Sequence, residues 1–354
     1  MQQVADRAGV SISTVSFVVN DTKPVTPETR ERVLQAISEL GYRRNTMARA
    51  LASRRSRILA LIYPMLDHRN HHAFIEAAAT AAKEHGYNLV LWPLHSDDVG
   101  TEITSLIQAG FADGVLLMEV QFDDERVTRL QEANAPFALI GRTRELEGID
   151  YVDIDFERST ELAIDELARL GHRDFGLVIE DLSGTPLAGY APPFRTEETF
   201  RTVLAGRGLN GVVFRIPHRA QAISSLADVM LRDAPRTTAI ISMHDEASLS
   251  LVTTLPHRGI QIPRDVSIIA IATSTAMAEL MDPVLSAYDG PGWQLGREAA
   301  EALIARLEGR DGPSVQVLIA CSPNPGGTVG PAPLRPAGLS VPAPLDTARS
   351  QSLA

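Results

Sequence analysis

From Ile58 onward, short apolar runs alternate with amphipathic segments, and this alternation constrains the fold more than any other feature of the chain. "ILALIYPM", "YNLVLWPL", "GVLLMEV" and "FALIGRT" are separated by segments of helical spacing such as "HAFIEAAATAAKEHG" and "DERVTRLQEANA". Runs this apolar suit strands buried on both faces, which means a parallel sheet with helices covering each side. The pattern recurs from "STELAIDELARLGHRDFGLVIED" through "TTAIISMHDEASLSL" to "DVSIIAIATS", predicting a second, similar α/β half. Ligands of such sheets sit beyond the strand C-termini. Neither G-x-G-x-x-G nor G-x-x-x-x-G-K-S/T occurs, so no nucleotide fold with a standard phosphate loop is expected.

Residues 1–57 differ in both period and charge. They hold ten Arg or Lys against five Asp or Glu, a net +5, while the whole chain carries −11 and the remainder therefore −16. A basic head on an acidic body points to a polyanion at the head, with a merely solvated basic surface as the alternative. Val4, Ala5 and Ala8 share one helical face, and Gly9 supplies a turn. Ser11 is a natural N-cap for residues 12–20, where Val15, Val18 and Val19 form an inward stripe. "VTPETRERVLQAISELGY" predicts a third helix, capped by Thr26, opened by Pro27, repeating at Val33, Leu34, Ile37 and Leu40, and stopped by Gly41. Two helices joined by a glycine turn read as helix-turn-helix. Turning the valines inward leaves Ile12, Ser13, Thr14, Ser16 and Phe17 outward, where hydroxyls can meet phosphate oxygens and apolar groups thymine methyls in a major groove. A polar helix packed on another subunit competes with that reading; the basic Lys23, Arg30, Arg43 and Arg44 nearby favour a DNA backbone.

"VADRAGVSISTVSFVVN" followed by "VTPETRERVLQAISELGY" resembles the DNA-binding headpiece of the lactose-repressor (LacI/GalR) family of bacterial regulators. The resemblance implies that Ile12, Ser13 and Phe17 read bases and that Thr14, Ser16 and Asn20 contact phosphate; Ser11, at the start of the same face, and Arg30, in the basic rim, are expected to complete the DNA-binding set. An arginine is common in that family where Phe17 stands, so one operator step is expected to be read by van der Waals contact instead of a bidentate bond to guanine. "RRNTMARALASRRSR" follows, in which Asn45 can cap a short helix from Thr46 to Ala52. So short a helix needs support to form. In the resembling family this is a hinge helix that pairs across the dimer and wedges a leucine, here Leu51, into the minor groove. A plain linker is the alternative, and Arg44 replaces a proline frequent in the family.

The resemblance continues to about residue 318 as a two-lobed periplasmic-binding-protein-like effector domain, carried best by "STELAIDELARLGHRD" and "RGIQIPRDVSIIAI". After the first strand, "DHRNHHAF" contains three histidines and an aspartate, and His68 and His72 have a spacing that could bind zinc on a helix. No further ligand is tied to them by spacing, and no metal or cofactor is expected. The resemblance makes His68, His72 and Phe74 effector-lining, with plain surface as the alternative. Trp92, Arg142, Asp155, Arg195, His244, Asp245, Thr273 and Trp293 match or adjoin family pocket positions, although either tryptophan serves a core as readily. Sugar-binding relatives place an aspartate pair where Ala272 and Thr273 stand, and an arginine where Thr196 stands; Arg195 is one step off. The small-molecule effector is therefore expected to be a sugar held unusually or an atypical ligand.

The expected architecture is an all-α helix-turn-helix headpiece (1–44), a hinge helix and linker (45–57) and an α/β two-lobed domain (58–320). Lobe 1 is expected over about 58–157 plus 286–312, and lobe 2 over about 158–285 plus 313–328. The resemblance implies a closing strand at about 322–328, which here lacks apolar residues and is expected to fray, and the Pro-, Gly- and Ser-rich 329–354 is expected to be disordered. Cys321 is the only cysteine, which excludes an internal disulfide. No apolar run nears the roughly 20 residues of a membrane span, and the N-terminus lacks a signal pattern, so a cytoplasmic protein without a membrane partner is expected. The leading expectation is a homodimeric regulator, most often a repressor, on a near-palindromic double-stranded DNA operator. A solute-binding protein is second, and an enzyme, such as a metal-assisted hydrolase at "DHRNHH", is third and not expected.

Overall fold

The computed structural model describes residues 1–20, 23–41, 55–63, 72–93, 99–185, 187–217, 219–310 and 312–334. The chain divides into two units, Met1–Ser56 and Arg57–Ala354.

In the smaller unit, α1 (Gln2–Ala8) ends at Gly9, whose φ of 62° is the left-handed turn that glycine adopts without strain. The Ser11 hydroxyl then caps α2 (Ile12–Asn20) by accepting the Thr14 N–H at 3.1 Å. Thr26 caps α3 (Pro27–Glu39) by accepting from the Thr29 N–H. Val4, Ala5, Ala8, Val15, Val18, Val19, Val33 and Ala36 make a miniature core with Ile37 at its edge. The expected apolar repeat of the third helix is corrected here: Leu34 and Leu40 are exposed, because the inward face of α3 runs through Val33 and Ala36.

The larger unit begins with β1 (Ile58–Tyr63), α4 (His72–Glu84), β2 (Asn88–Pro93), α5 (Val99–Gln108), β3 (Gly114–Leu117), α6 (Glu125–Glu132), β4 (Phe137–Ile140) and β5 (Tyr151–Ile154). It continues through α7 (Phe156–Arg169), β6 (Asp174–Asp181), α8 (Ala191–Arg207), β7 (Asn210–Pro217), α9 (Ala220–Asp233), β8 (Ala239–Ser242), α10 (Asp245–His257) and β9 (Ser267–Ile271). It closes with α11 (Thr275–Ala278), β10 (Ser286–Asp289), α12 (Gly292–Leu307), β11 (Gln316–Ile319) and β12 (Ser322–Asn324). Two six-stranded sheets result, ordered β2-β1-β3-β4-β5-β11 and β7-β6-β8-β9-β10-β12. All pairings are parallel except β10 with β12. Each sheet anchors one lobe, and strand order reverses between β1 and β3 and between β6 and β8, the points at which such sheets bind ligands.

Two strands lie in the sheet opposite to the expected one: β10 joins the second sheet and β11 the first. The chain passes between lobes after β5, after β10 and after β11, and an apolar run records burial without recording which sheet buries it. The expected fraying at the C-terminal edge is also corrected. Thr328 is buried, accepts the Ser286 N–H at 2.8 Å and donates to the Ile268 carbonyl at 2.6 Å. The Gly330 carbonyl accepts from His172 Nε2 at 3.1 Å and from Ser267 Oγ at 3.2 Å, and the Ala332 N–H donates to Leu170. Hydrogen bonds, together with Val329 packed against the core, anchor this segment, so residues 329–332 of the expected tail are fixed; 335–354 lie outside the described residues.

One close approach positions the site. A Cβ added to Gly296 of α12 would collide with the Phe74 carbonyl of α4. Only glycine allows the two helices to meet there, over Ala77, Ala78, Ala81, Ala299 and Ala300, all buried. Among the described residues no helix is long and apolar enough to cross a membrane.

Candidate functional site

With the valines of α2 sealed in the core, its other face is presented outward. Ile12 is 45% exposed, Ser11 and Ser13 are exposed, and Thr14, Ser16 and Phe17 are half-buried. Ser11 Oγ lies 2.7 Å from Ser13 Oγ and 2.9 Å from Thr14 Oγ1, so hydroxyls form a continuous row. The Lys23 ammonium stands 4.9 Å from the centre of the Phe17 ring, bringing a cation to the same face. Arg30 sits half-buried in the first turns of α3. Asn20 closes α2. Arg43, Arg44, Asn45 and Leu51 lie outside the described residues.

In the larger unit a cleft opens between the lobes at the C-terminal ends of β3, β4 and β5 on one side and β6, β8 and β9 on the other. It encloses about 200 Å³, just below the ~300–1,000 Å³ usual for small-molecule sites, so it suits a compact ligand. Lobe 1 contributes Phe74, Met118, Glu119, Ile140, Arg142 and Asp153; lobe 2 contributes Phe156, Glu180, Tyr190, Met243, His244, Asp245, Glu246 and Ala272. Glu119 and Ala272, each just past the end of a strand, have left-handed backbones with φ of 52° and 60°. Non-glycine residues hold such conformations only where their surroundings enforce them, commonly at functional sites. For Glu119 the enforcement is visible: buried Arg126 donates to the Glu119 carbonyl at 2.8 Å while forking onto Asp124 at 2.9 and 2.7 Å.

Arg142 donates from Nε to Asp153 at 3.1 Å and from Nη2 to both oxygens of Glu157 at 2.7 and 2.5 Å. Burial pushes Asp153 up to about 6, against the pull of Arg142. Desolvation, reinforced by Glu119, Asp153 and Glu180, pushes the Tyr190 phenol far above its ordinary range, so it stays protonated as a donor. His244 Nδ1 caps α10 by accepting the Ala247 N–H at 3.3 Å.

A clasp joins the lobes beside the cleft. Gln121 and Tyr190 form an antiparallel bridge, the Phe122 N–H donates to Gly189 at 3.0 Å, and the Ala191 N–H donates to Val120 at 3.2 Å. The Phe122 ring has the Arg195 guanidinium 4.7 Å from its centre and that of Arg144 at 4.9 Å, with Phe194 tilted against it at 5.8 Å. Arg195 also donates to Thr143 O at 3.2 Å and reaches Glu157 at 3.5 Å.

Of the residues expected from sequence, the cleft gathers Phe74, Arg142, His244 and Asp245. Thr273 stands behind it, its hydroxyl donating to Asp245 at 2.6 Å, and Arg195 serves the clasp. The others do not line it. Trp92 packs on the lobe 1 core and donates to Glu102 at 3.2 Å, the core role open to a tryptophan. Asp155 is occupied as the cap of α7, Trp293 is 47% exposed, and the His72 side chain is 87% exposed beside Glu76. His68 lies outside the described residues. Sequence reasoning passed over Glu119, Asp153, Glu180, Tyr190 and Glu246. The signal for two of them was present, since "GVLLMEV" and "FGLVIED" each end an apolar run on an acid.

Residues 1–45 match the bacterial regulatory proteins of the lacI family, and residues 164–329 match the periplasmic binding protein-like domain. The chain is 30% identical over 338 residues to the HTH-type transcriptional regulator CelR of Thermobifida fusca, covering 90% of this chain and 95% of the relative. It is 27% identical over 306 residues to catabolite control protein A of Priestia megaterium, covering 85% and 90%. Among solved structures it resembles the lac repressor dimer bound to operator and the anti-inducer ONPF, with TM-score 0.81, 22% identity and coverage of 92% and 98%. The CelR–cellobiose complex gives TM-score 0.69 at 26% identity, with coverage of 92% and 98%.

Proposed function

This chain belongs to the lacI family of bacterial regulatory proteins and is a DNA-binding transcriptional regulator, and from that premise we propose that it is a dimeric, cytoplasmic repressor governed by a small molecule bound between its lobes. The observation that carries the DNA reading is the α2 face: hydroxyls, Ile12 and Phe17 turned outward over a core of valines. That face offers hydroxyl donors to phosphate oxygens and apolar contacts to thymine methyls. A two-fold dimer would impose a near-palindromic operator. Ile12, Ser13 and Phe17 take base edges, Ser11, Thr14, Ser16, Asn20 and Arg30 the backbone, and the 45–57 segment with Asn45 and Leu51 the hinge.

The effector would act by changing the relation between the lobes, a coupling of typically about 1–3 kcal/mol. The relative crystallised with cellobiose offers a sugar as the first class to try. The protein acts by binding, without catalysis; its relatives are regulators. Selecting fragments of genomic DNA on the full-length protein tests the proposal. The expected result is a two-fold symmetric site, protected by the wild type and lost when Ile12, Ser13 and Phe17 are replaced by Ala. Fragments without shared sequence would refute it.

A further inference from the structure

We propose that Lys23 is a base-reading residue of the headpiece: held over the ring of Phe17, its ammonium donates to guanine in the major groove and so supplies the donor that position 17 lacks. The inference rests on the reading of the outward α2 face as the one that enters the groove, and it adds a reader from outside that helix.

By sequence Lys23 belongs to a basic rim, and phosphate is the ordinary partner of such a lysine. Its place in the headpiece is more specific. The ammonium stands 4.9 Å from the centre of the Phe17 ring, within the distance at which an aromatic face attracts a cation. Phe17 follows Ser13 by four residues, so ring and hydroxyl share one helical face, turned away from the buried valines. Successive bases of a strand are about 3.4 Å apart. A charge this near the ring is therefore within about two steps of the base pair that the ring touches. Guanine sets two acceptors, O6 and N7, on its groove edge, and lysine is among the residues that pair with both. An ammonium carries three donors and no acceptor, which matches that edge and no donor group beside it.

Two features keep the charge at this spot. A lysine stem is flexible and would let the ammonium range over many phosphates, but the negative face of the phenyl ring favours the position above it. Pro24 follows directly, and a residue before proline is biased toward extended backbone, which narrows the directions that the stem can take. Lys23 is exposed and Phe17 half-buried, so the ring is anchored in the protein while the ammonium is open to DNA. The pair then reads neighbouring steps, the ring by van der Waals contact and the ammonium by donation.

Site selection from randomised duplexes, with the full-length protein, tests this. The wild type should select a guanine within about two steps of the position that Phe17→Arg alters. Lys23→Ala should lose about tenfold of the preference for that guanine and leave the other positions unchanged, the mark of a base contact. Lys23→Arg should keep it. Phe17→Leu removes the ring but not the apolar contact, and it should lose several-fold of the same preference, which a phosphate-bound lysine would not show. In the selected duplex, 7-deazaguanine at that position deletes N7; it should weaken the wild type several-fold and Lys23→Ala hardly at all. Equal weakening of Lys23→Ala on every sequence would make Lys23 a phosphate contact and overturn the proposal, with the α2 face still the reader. A Lys23→Ala profile identical to that of the wild type would overturn it too. If the selected sequence survives replacement of Ile12, Ser13 and Phe17 together by Ala, or the wild type selects none, the reading of α2 falls and Lys23 with it.

Discussion

Phe17 occupies the sixth position of α2, half-buried, with the Lys23 ammonium 4.9 Å from its ring centre. A phenyl ring can fill space against a thymine methyl but has no donor for guanine, whereas arginine forks onto guanine O6 and N7. Phe17→Arg should therefore shift preference at one operator base pair by about 1–3 kcal/mol in a site-selection profile; an unchanged profile would take position 17 out of the groove. Asp153 provides a second test at this scale. Burial holds its pKa near 6 against an ordinary 3.8, so between those values the folded protein binds the proton that the unfolded chain has released. Stability must then fall as pH rises through that window and level off above it. Urea unfolding at a series of pH values should show this slope in the wild type and a smaller one in Asp153→Asn; equal slopes would mean that Asp153 titrates normally.

The clasp shows what an element can do that its residues alone cannot. Backbone bonds from Phe122 to Gly189 and from Ala191 to Val120 span the lobes, and two guanidiniums lie on one ring. Each cation–π contact is worth about 0.5–2 kcal/mol, so the ring is the clasp's main side-chain support. In Phe122→Ala, hydrogen exchange at the Ala191 amide should accelerate about tenfold or more while amides of β3 and β6 keep their protection, since local opening tracks local contacts. Uniform acceleration would instead signal global destabilisation. No part of this clasp was legible in the sequence, where "EDLSGTPLAGYAPPF" reads only as an irregular, proline-rich linker. Elements with a period were legible: α2 by its valines, α3 by its Thr26 cap and Pro27, and the parallel sheets by their apolar runs. What escaped were features set by partners distant in the chain. His172 binding Gly330, β10 and β11 exchanging sheets, and Glu119 aimed by Arg126 all depend on neighbours that no local spacing records.

At the scale of the whole molecule the two units differ in the sign of their charge, +4 over Met1–Ser56 against −15 over Arg57–Ala354, out of −11 in all. A body so acidic cannot by itself hold a polyanion, so affinity for DNA must come from the head, and each phosphate neutralised there releases condensed counterions. Log affinity should then fall linearly with log salt, by about 0.9 per phosphate contacted. A dimer making roughly 6–10 such contacts loses about three to five orders of magnitude between roughly 50 and 200 mM salt. Filter binding or fluorescence anisotropy with the selected operator measures the slope. Replacing Arg30 by Ala should make it shallower by about one unit per head engaged while leaving sequence preference intact, the mark of a phosphate contact. Phe17→Arg should change preference without that loss of slope. A slope near zero in the wild type would mean that the basic head does not meet a phosphate backbone, and the outward face of α2 would then need a protein partner instead.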